Sequence, residues 1–168
     1  MLISVLITCY NLEEFIGEAI QSVLEQELHG SEVEVIVVDD CSTDSSHEII
    51  KSFPVNYVRT SSNRGVLSAM VDGLRMCNGE IISFLDGDDI WEPDKLSHVA
   101  HKYSANPSLV FLTHDYRFIG RNGLPFKGQE WTQRRLYGAD ANDLSLILRA
   151  GILSRHNYIW LGSAFSIR

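Results

Sequence analysis

Short runs of apolar, mostly β-branched residues recur along the first half of the chain, and stretches with helical spacing lie between them. The first four runs are residues 2–8, 33–38, 55–58 and 81–85, and a fifth covers 109–113. Runs this short and this continuously apolar are typical of strands buried on both faces of a parallel sheet.

The segments between the runs show the 3.6-residue spacing of amphipathic helices. A helix is predicted from about residue 15 to 24, with Asn11 as its N-cap and Glu14 completing a capping box. Further helices are predicted over 44–51, from 66 to 77, and from Pro93 onward, where proline favours a first helical turn. The alternation predicts a three-layer α/β/α sandwich with a mostly parallel central sheet.

The length of 168 residues fits one domain over 1–168. Residues 1–105 form the expected ligand-binding half. Residues 106–168 are expected to complete the sheet and to begin an acceptor-side half that is incomplete in this chain. A hairpin turn is predicted at Asn122-Gly123, a helix over 140–150 and strands at 158–161 and 164–167.

Charge and cysteine content limit the functional classes. Fourteen basic residues stand against 22 acidic ones, a formal charge of −8, which argues against a nucleic-acid surface because phosphate contacts need clustered cations. Three cysteines without C-x-x-C spacing favour a reducing compartment with neither disulfide nor zinc. No apolar run reaches the length of a membrane span. We therefore expect a cytoplasmic protein, with peripheral association at the inner membrane face left open.

Polar side chains follow the predicted strands where each one ends. In open α/β sheets, ligands bind outside the carboxyl ends of the strands, so these residues predict the site. The first group is Thr8, Cys9, Tyr10 and Asn11; the second is Asp39 and Asp40; the third is Asp86, Gly87 and Asp88, followed by Asp89.

Asp86 and Asp88 are the sharpest of these features. At i and i+2 on an extended segment they project to the same side, and Gly87 allows the backbone to bend so that both carboxylates converge. Hard oxygen ligands suit Mg²⁺ or Mn²⁺, which complete their coordination with phosphate oxygens and water. The alternative is that these acids merely cap the next helix and form a turn.

The remaining candidates fit a nucleotide. One carboxylate of the pair Asp39 and Asp40 is expected to bind loop N–H groups, and the other to accept a hydrogen bond from a base such as uracil. Tyr10 is placed to stack on that base, with ordinary packing as the alternative. Asn63, Arg64 and Gly65 open the third helix, where glycine permits close approach and arginine offsets phosphate charge, unless it is merely solvated.

Taken together, these segments resemble the nucleotide-sugar-binding half of glycosyltransferase family 2, which has the GT-A fold. The similarity runs over residues 4–11, 37–44, 63–73 and 79–96, and more loosely over 162–168. The tail of the fourth segment is similar to bacterial members that build polysaccharides. Any one motif is weak, but four in order are specific.

The resemblance implies an inverting, metal-dependent transfer of a sugar from a nucleotide diphosphate, a UDP-sugar being favoured, to a hydroxyl of a saccharide or lipid-linked acceptor. It implies that Thr8, Tyr10 and Asp40 contact the base and that Asp39 supports the loop. It also implies that Asp88 binds the metal, and that Asp86 binds the sugar–ribose side of the donor or the metal through water. The family commonly has Arg-Asn where this chain has Met70-Val71.

The family's catalytic base is expected beyond Arg168, so the chain is predicted to be truncated and to bind a nucleotide while transferring sugar poorly. Asp115, Glu130, Asp140 and Asp143 are the other acidic candidates, none in the expected context. Two alternatives stay open: a non-catalytic nucleotide-sugar-binding module, and a phosphotransferase or phosphatase that uses Asp86 and Asp88. A dehydrogenase is disfavoured because no G-x-G-x-x-G follows the first strand.

Overall fold

The computed structural model describes residues 1–114, 119–120, 124, 136–140 and 165–168. These residues form seven strands and four helices. In chain order the elements are β1 (Leu2–Cys9), α1 (Ile16–Leu24), β2 (Glu32–Asp39), α2 (Ser46–Lys51), β3 (Asn56–Arg59), α3 (Val66–Leu74), β4 (Ile81–Asp86), α4 (Lys95–Ala105), β5 (Leu109–His114), β6 (Leu136–Asp140) and β7 (Phe165–Ile167).

The strands form one mixed sheet in the order β3-β2-β1-β4-β7-β5-β6. The first four of these strands pair in parallel. β7 is antiparallel to both β4 and β5, so β5 points the same way as β4, while β6 is antiparallel to β5. Five strands therefore share one direction, and β7 and β6 oppose it.

Helices cover both faces of the sheet, which confirms the predicted three layers. On one face, α1, α2 and α4 pack on Ile3, Val5 and Ile7 of β1 and their neighbours in β2 and β4. On the other face, Ala69 of α3 packs against Leu6 and Val38. β1 lies between β2 and β4 and is buried from Ile3 onward, as its continuously apolar sequence predicts.

The described elements confirm most of the predicted ones. All five early strands are present, and residues 165–167 form the predicted last strand. The second helix begins at Ser46 rather than at residue 44, and α4 begins at Lys95 rather than at Pro93. Asp140 ends a strand instead of beginning a helix, so that part of the prediction is wrong. The predicted turn at 122–123, the rest of the helix over 140–150 and the strand at 158–161 lie outside the described residues.

The predicted N-cap of α1 is wrong. The helix begins at Ile16, and Phe15, the capping residue, makes no side-chain cap, so Glu14 completes no capping box. Asn11 has a φ of 53°, and a turn in which the N–H groups of Phe15 and Ile16 donate to the Leu12 carbonyl separates it from the helix. The Asn11 side chain instead binds the loop after β2.

Within the described residues, no helix is both long and apolar enough to cross a lipid bilayer. The cysteines Cys9, Cys41 and Cys77 are free thiols.

Candidate functional site

The three predicted groups of polar residues meet at one edge of the sheet. Cys9 pairs with Asp39 across β1 and β2, and Thr8 pairs with Asp86 across β1 and β4. Because these strands are parallel and in this register, their carboxyl ends lie side by side. The three loops that follow them therefore surround a common space.

Asp39 is a fully buried carboxylate that supports the loop after β2. Its Oδ1 accepts the N–H of Ser42 at 2.8 Å, and its Oδ2 accepts the Tyr57 hydroxyl at 3.0 Å and lies 3.4 Å from Nε of Arg59. Burial and the hydrogen bond to this carboxylate raise the pKa of Tyr57. Arg59 also donates to the carbonyl of Ser42, so loop and strand β3 are joined twice.

Asp40 binds the segment that opens α3. Its carboxylate accepts the N–H groups of Arg64 at 2.9 Å and Gly65 at 2.6 Å, and the hydroxyl of Thr60 lies 2.9 Å from its Oδ1. Gly65 has a φ of 86°, a conformation that glycine adopts without strain. Asp40 thus fixes residues 63–65, although it also lines the cavity described below.

The loops after β1 and β2 are joined by reciprocal hydrogen bonds. The amide oxygen of Asn11 accepts the N–H of Thr43 at 2.7 Å, and the N–H of Asn11 donates to Ser42 Oγ at 2.9 Å. Asn11 and Cys41 both have positive φ values, 53° and 67°, which non-glycine residues keep only when their surroundings enforce them. Glu13 adds a second pair of bonds between the same loops: its N–H donates to Oδ2 of Asp44 at 3.0 Å, and its Oε2 accepts the N–H of Ser45 at 2.9 Å.

The turn after β4 carries the predicted metal ligands. Gly87 donates its N–H to the carbonyl of Thr8 at 3.0 Å, and a Cβ at Gly87 would lie 2.7 Å from that oxygen. Only glycine therefore fits between Asp86 and Asp88 without moving β1. Asp86 is half-buried, whereas Asp88 is exposed. Within the described part of the chain, the Asp88 carboxylate makes no hydrogen bond or ion pair.

These loops enclose an open cavity of about 290 Å³. Nine predicted site residues line it, and the remaining three, Asn11, Asp39 and Arg64, do not. Asn11 and Asp39 bind the loops, and the Arg64 guanidinium pairs with Asp72 of α3. The sequence reasoning missed Leu12, Val66 and Ala69, whose apolar side chains carry no chemical signal. The lining residues are Thr8, Cys9, Tyr10, Leu12, Asp40, Asn63, Gly65, Val66, Ala69, Asp86, Gly87 and Asp88.

Among the lining residues, the donor set for a cation consists of carboxylates. The described residues contain no cluster of three or more histidine, cysteine or acidic side chains arranged around one ion. Asp86 and Asp88 nevertheless fit Mg²⁺ or Mn²⁺, since such ions use one or two carboxylates and take their other oxygens from phosphates and water. Cys9 fits these hard ions poorly because sulfur is a soft ligand; burial also raises the pKa of its thiol to about 11.

Residues 4–154 match the family model described as "Glycosyl transferase family 2". The chain belongs to glycosyltransferase family 2. This confirms the resemblance drawn from the strand-end motifs. The match begins in β1 and includes every residue that lines the cavity.

Relatives and solved structures of the family are similar over part of their length. Poly-beta-1,6-N-acetyl-D-glucosamine synthase of Staphylococcus epidermidis is 29% identical over 148 residues, 86% of this chain and 35% of that protein. The crystal structure of S. aureus TarS 1-349 in complex with UDP has a TM-score of 0.61 and 28% identity, covering 66% of this chain and 34% of the other.

A second solved structure is the mannosyltransferase PcManGT from Pyrobaculum calidifontis in complex with GDP-Man and Mn²⁺. It has a TM-score of 0.58 and 28% identity, covering 65% of this chain and 34% of that one. The chain spans 19–50% of the length of the first three curated relatives it matches.

Proposed function

We propose that this chain is a single GT-A domain, residues 1–168, of a metal-dependent, inverting glycosyltransferase, and that residues 1–105 form the half that binds the nucleotide sugar. The donor is a nucleotide-diphosphate sugar, a UDP-sugar being favoured, and the acceptor is a hydroxyl of a saccharide or lipid-linked glycan of the cell surface. The observation that carries the proposal is the cavity in which Thr8 and Tyr10 lie at one strand end and Asp86 and Asp88 at the next. The family and the named polysaccharide synthase support the same reaction class.

The cavity offers separate places for the two ends of a nucleotide. Tyr10, which is 44% exposed, presents a ring on which a base can stack, and Thr8 lies beside it. The carboxylate of Asp40 is occupied by Arg64, Gly65 and Thr60, so it acts on the base mainly by fixing the loop that flanks it. The UDP seen in TarS supports uridine as the nucleoside.

The diphosphate end belongs beside the turn after β4. Asp88, exposed at the rim, and Asp86, half-buried behind it, would hold Mg²⁺ or Mn²⁺, as the Mn²⁺ in PcManGT supports. When bound there, the ion neutralises charge that grows on the departing diphosphate. The protein's own part is positional: Gly87, donating to Thr8, sets where the two carboxylates stand relative to the base.

Inversion requires a base on the acceptor side that removes the proton of the attacking hydroxyl as the bond to the sugar forms. Among the described residues that line the cavity, we assign none to that role, because Asp40 binds the loop and Asp86 and Asp88 belong to the proposed metal and diphosphate site. We assign the reaction to the cytoplasmic side of the membrane, where nucleotide sugars are at hand.

Calorimetric titration with UDP, GDP, CDP and dTDP tests this function, each in Mn²⁺ and again in EDTA. We expect one diphosphate to bind in Mn²⁺ and to lose most of its affinity in EDTA. Equal binding in EDTA would contradict the metal site, and binding of none would contradict the donor site. Release of phosphate from a generic phosphoester would instead favour the phosphatase alternative.

A further inference from the structure

The described residues that line the cavity carry negative charge only. Three of these twelve residues, Asp40, Asp86 and Asp88, are carboxylates, and none of the twelve is basic. A nucleoside diphosphate brings further negative charge to these walls. A divalent cation balances part of it, and a side chain that donates hydrogen bonds to phosphate would balance more.

Arg64 is a described side chain of this kind whose position in the chain brings it to the cavity. Its two neighbours, Asn63 and Gly65, line the cavity, and its N–H donates to Asp40 in the cavity wall. Its guanidinium points elsewhere, along α3, where Nη2 pairs with Oδ2 of Asp72. The Arg64 side chain is 47% exposed, so it is free to turn about a backbone that Asp40 holds fixed.

Asp72 does not depend on Arg64 for a counter-ion. Its other oxygen, Oδ1, lies 3.2 Å from Nη1 of Arg75, one turn further along the helix. When Arg64 leaves, Asp72 keeps a cationic partner, so the departure costs little. Half-exposed ion pairs of this kind contribute little by themselves. The arrangement thus holds the guanidinium near the cavity without holding it tightly.

We propose that Arg64 exchanges its ion pair with Asp72 for the diphosphate of the donor. In the absence of donor, the Arg64 guanidinium stays paired with Asp72, which is also paired with Arg75. The proposal rests on the proposed function, since it names the protein group that binds the donor's diphosphate. It makes Asp72 a positioning residue that competes with the ligand for Arg64.

The first test compares Arg64→Gln with the unmodified chain. The titration uses the diphosphate that binds best in Mn²⁺, and then its nucleoside without phosphate. We expect the diphosphate to bind about tenfold more weakly, the loss of one charge-assisted contact, while nucleoside binding stays unchanged. Lys51→Gln, which removes one exposed positive charge at the end of α2, should leave both affinities unchanged.

The second test asks whether Asp72 competes with the diphosphate for Arg64 or only supports the structure of α3. The two possibilities differ in the direction in which two substitutions change diphosphate affinity. Asp72→Asn removes the competitor, so the diphosphate should bind about two- to fivefold more tightly. Arg75→Gln leaves Asp72 with Arg64 alone, so the exchange becomes costlier and affinity should fall about twofold. A change that only loosened α3 would lower affinity in both variants.

The outcomes distinguish the two proposals. If the unmodified chain binds no diphosphate, the proposed function fails and this inference fails with it. If the chain binds and Arg64→Gln binds equally well, only the inference fails. Weaker binding by Asp72→Asn would also overturn it, because Asp72 would then be orienting Arg64 for the ligand rather than competing with it.

Discussion

The two acidic strand ends of this chain contain the same residue type at the same edge of the sheet, yet they are built in opposite ways. After β2, the carboxylates of Asp39 and Asp40 accept hydrogen bonds from backbone and side-chain donors of the protein. After β4, Asp88 is exposed, and its carboxylate has no partner within the described residues. Asp39 and Asp40 therefore hold the loops together, whereas the Asp88 carboxylate keeps its oxygens available for a ligand.

Proximity to a cavity therefore does not by itself give a carboxylate a ligand-binding role. Asp39 is adjacent to the cavity in sequence and space, but a fully buried carboxylate with three donors has no oxygen left for a ligand. Asp88 has its oxygens open, and a cation supplied with the substrate can complete them. The following substitutions test this division.

Asp39→Ala should have the largest effect. It removes the acceptor for Ser42 and Tyr57 and the counter-ion of Arg59, leaving donors without partners in the interior. We expect the free energy of unfolding to fall by about 3 kcal/mol, measured by urea denaturation. Tyr57→Phe, which removes one of these bonds, should cost about 1 kcal/mol. Equal losses in both variants would show that Asp39 does not organise the loop as a unit.

Asp88→Asn should change binding and leave stability unaffected. Because the carboxylate is exposed and makes no contact in the described part of the chain, unfolding should shift by less than about 0.5 kcal/mol. Nucleoside diphosphate binding in Mn²⁺ should weaken by more than about tenfold, while binding in EDTA stays the same. If affinity in Mn²⁺ were unchanged, Asp88 would not be a metal ligand.

The same division explains which parts of the fold were predictable from sequence. Strands such as β1 and β2 were predicted because burial on both faces requires continuous apolar runs, which are visible in any single sequence. The start of α1 was not predicted correctly. Asn11 is a residue type that is favoured at N-caps, but here it lies in a left-handed turn and binds Thr43. A contact 32 residues away in sequence outweighed the local preference.

The candidate site, like the fold, was predictable only where the signal lies in the local sequence. The residue types at the strand ends indicated a cavity, and nine of the twelve predicted residues line it. Whether a given side chain faces the cavity or a loop depends on partners distant in sequence, such as Tyr57 for Asp39 and Asp72 for Arg64. The apolar lining residues gave no signal because their side chains match ordinary core positions.

The dependence of stability on acidic pH should report on Asp44, whose carboxylate accepts the N–H of Glu13 in the loop after β1. Burial acts to raise the pKa of Asp44, but hydrogen bonds from Ser46 and from the N–H of Glu13 outweigh it, so its pKa is lowered. A lowered folded pKa gives stability that is present above the unfolded value, about 4, and is lost as pH falls through the folded value. Asp44→Asn should therefore reduce the acid dependence of the urea midpoint.

The matched control for that measurement is Asp88→Asn, which changes a carboxylate without hydrogen bonds in the described residues. Its urea midpoint should follow the acid limb of the unmodified chain. If both variants flattened that limb equally, the effect would come from net charge and not from the bonds that Asp44 accepts.

The substitution of Ser83 has the smallest expected effect. Its hydroxyl has no hydrogen-bond partner in the described structure, but it is buried and no ligand can reach it. Its hydroxyl is fully buried in β4 opposite Ser166, and neither hydroxyl has a hydrogen-bond partner in the described structure. If a missing partner matters only where a ligand can reach, Ser83→Ala should leave nucleotide binding unchanged and stabilise the fold by up to about 0.5 kcal/mol.

Ser4→Ala is the matched substitution on β1, where the hydroxyl bonds to Glu34 and accepts the N–H of Gly79 at 2.8 Å. It should cost about 1 kcal/mol, since it leaves that N–H with fewer acceptors. A loss at Ser83 as large as that at Ser4 would mean that the Ser83 hydroxyl is bonded after all. Its partner would then be a buried water molecule, and polar groups bonded to buried water would have to be distinguished from those bonded to protein and those open to a ligand.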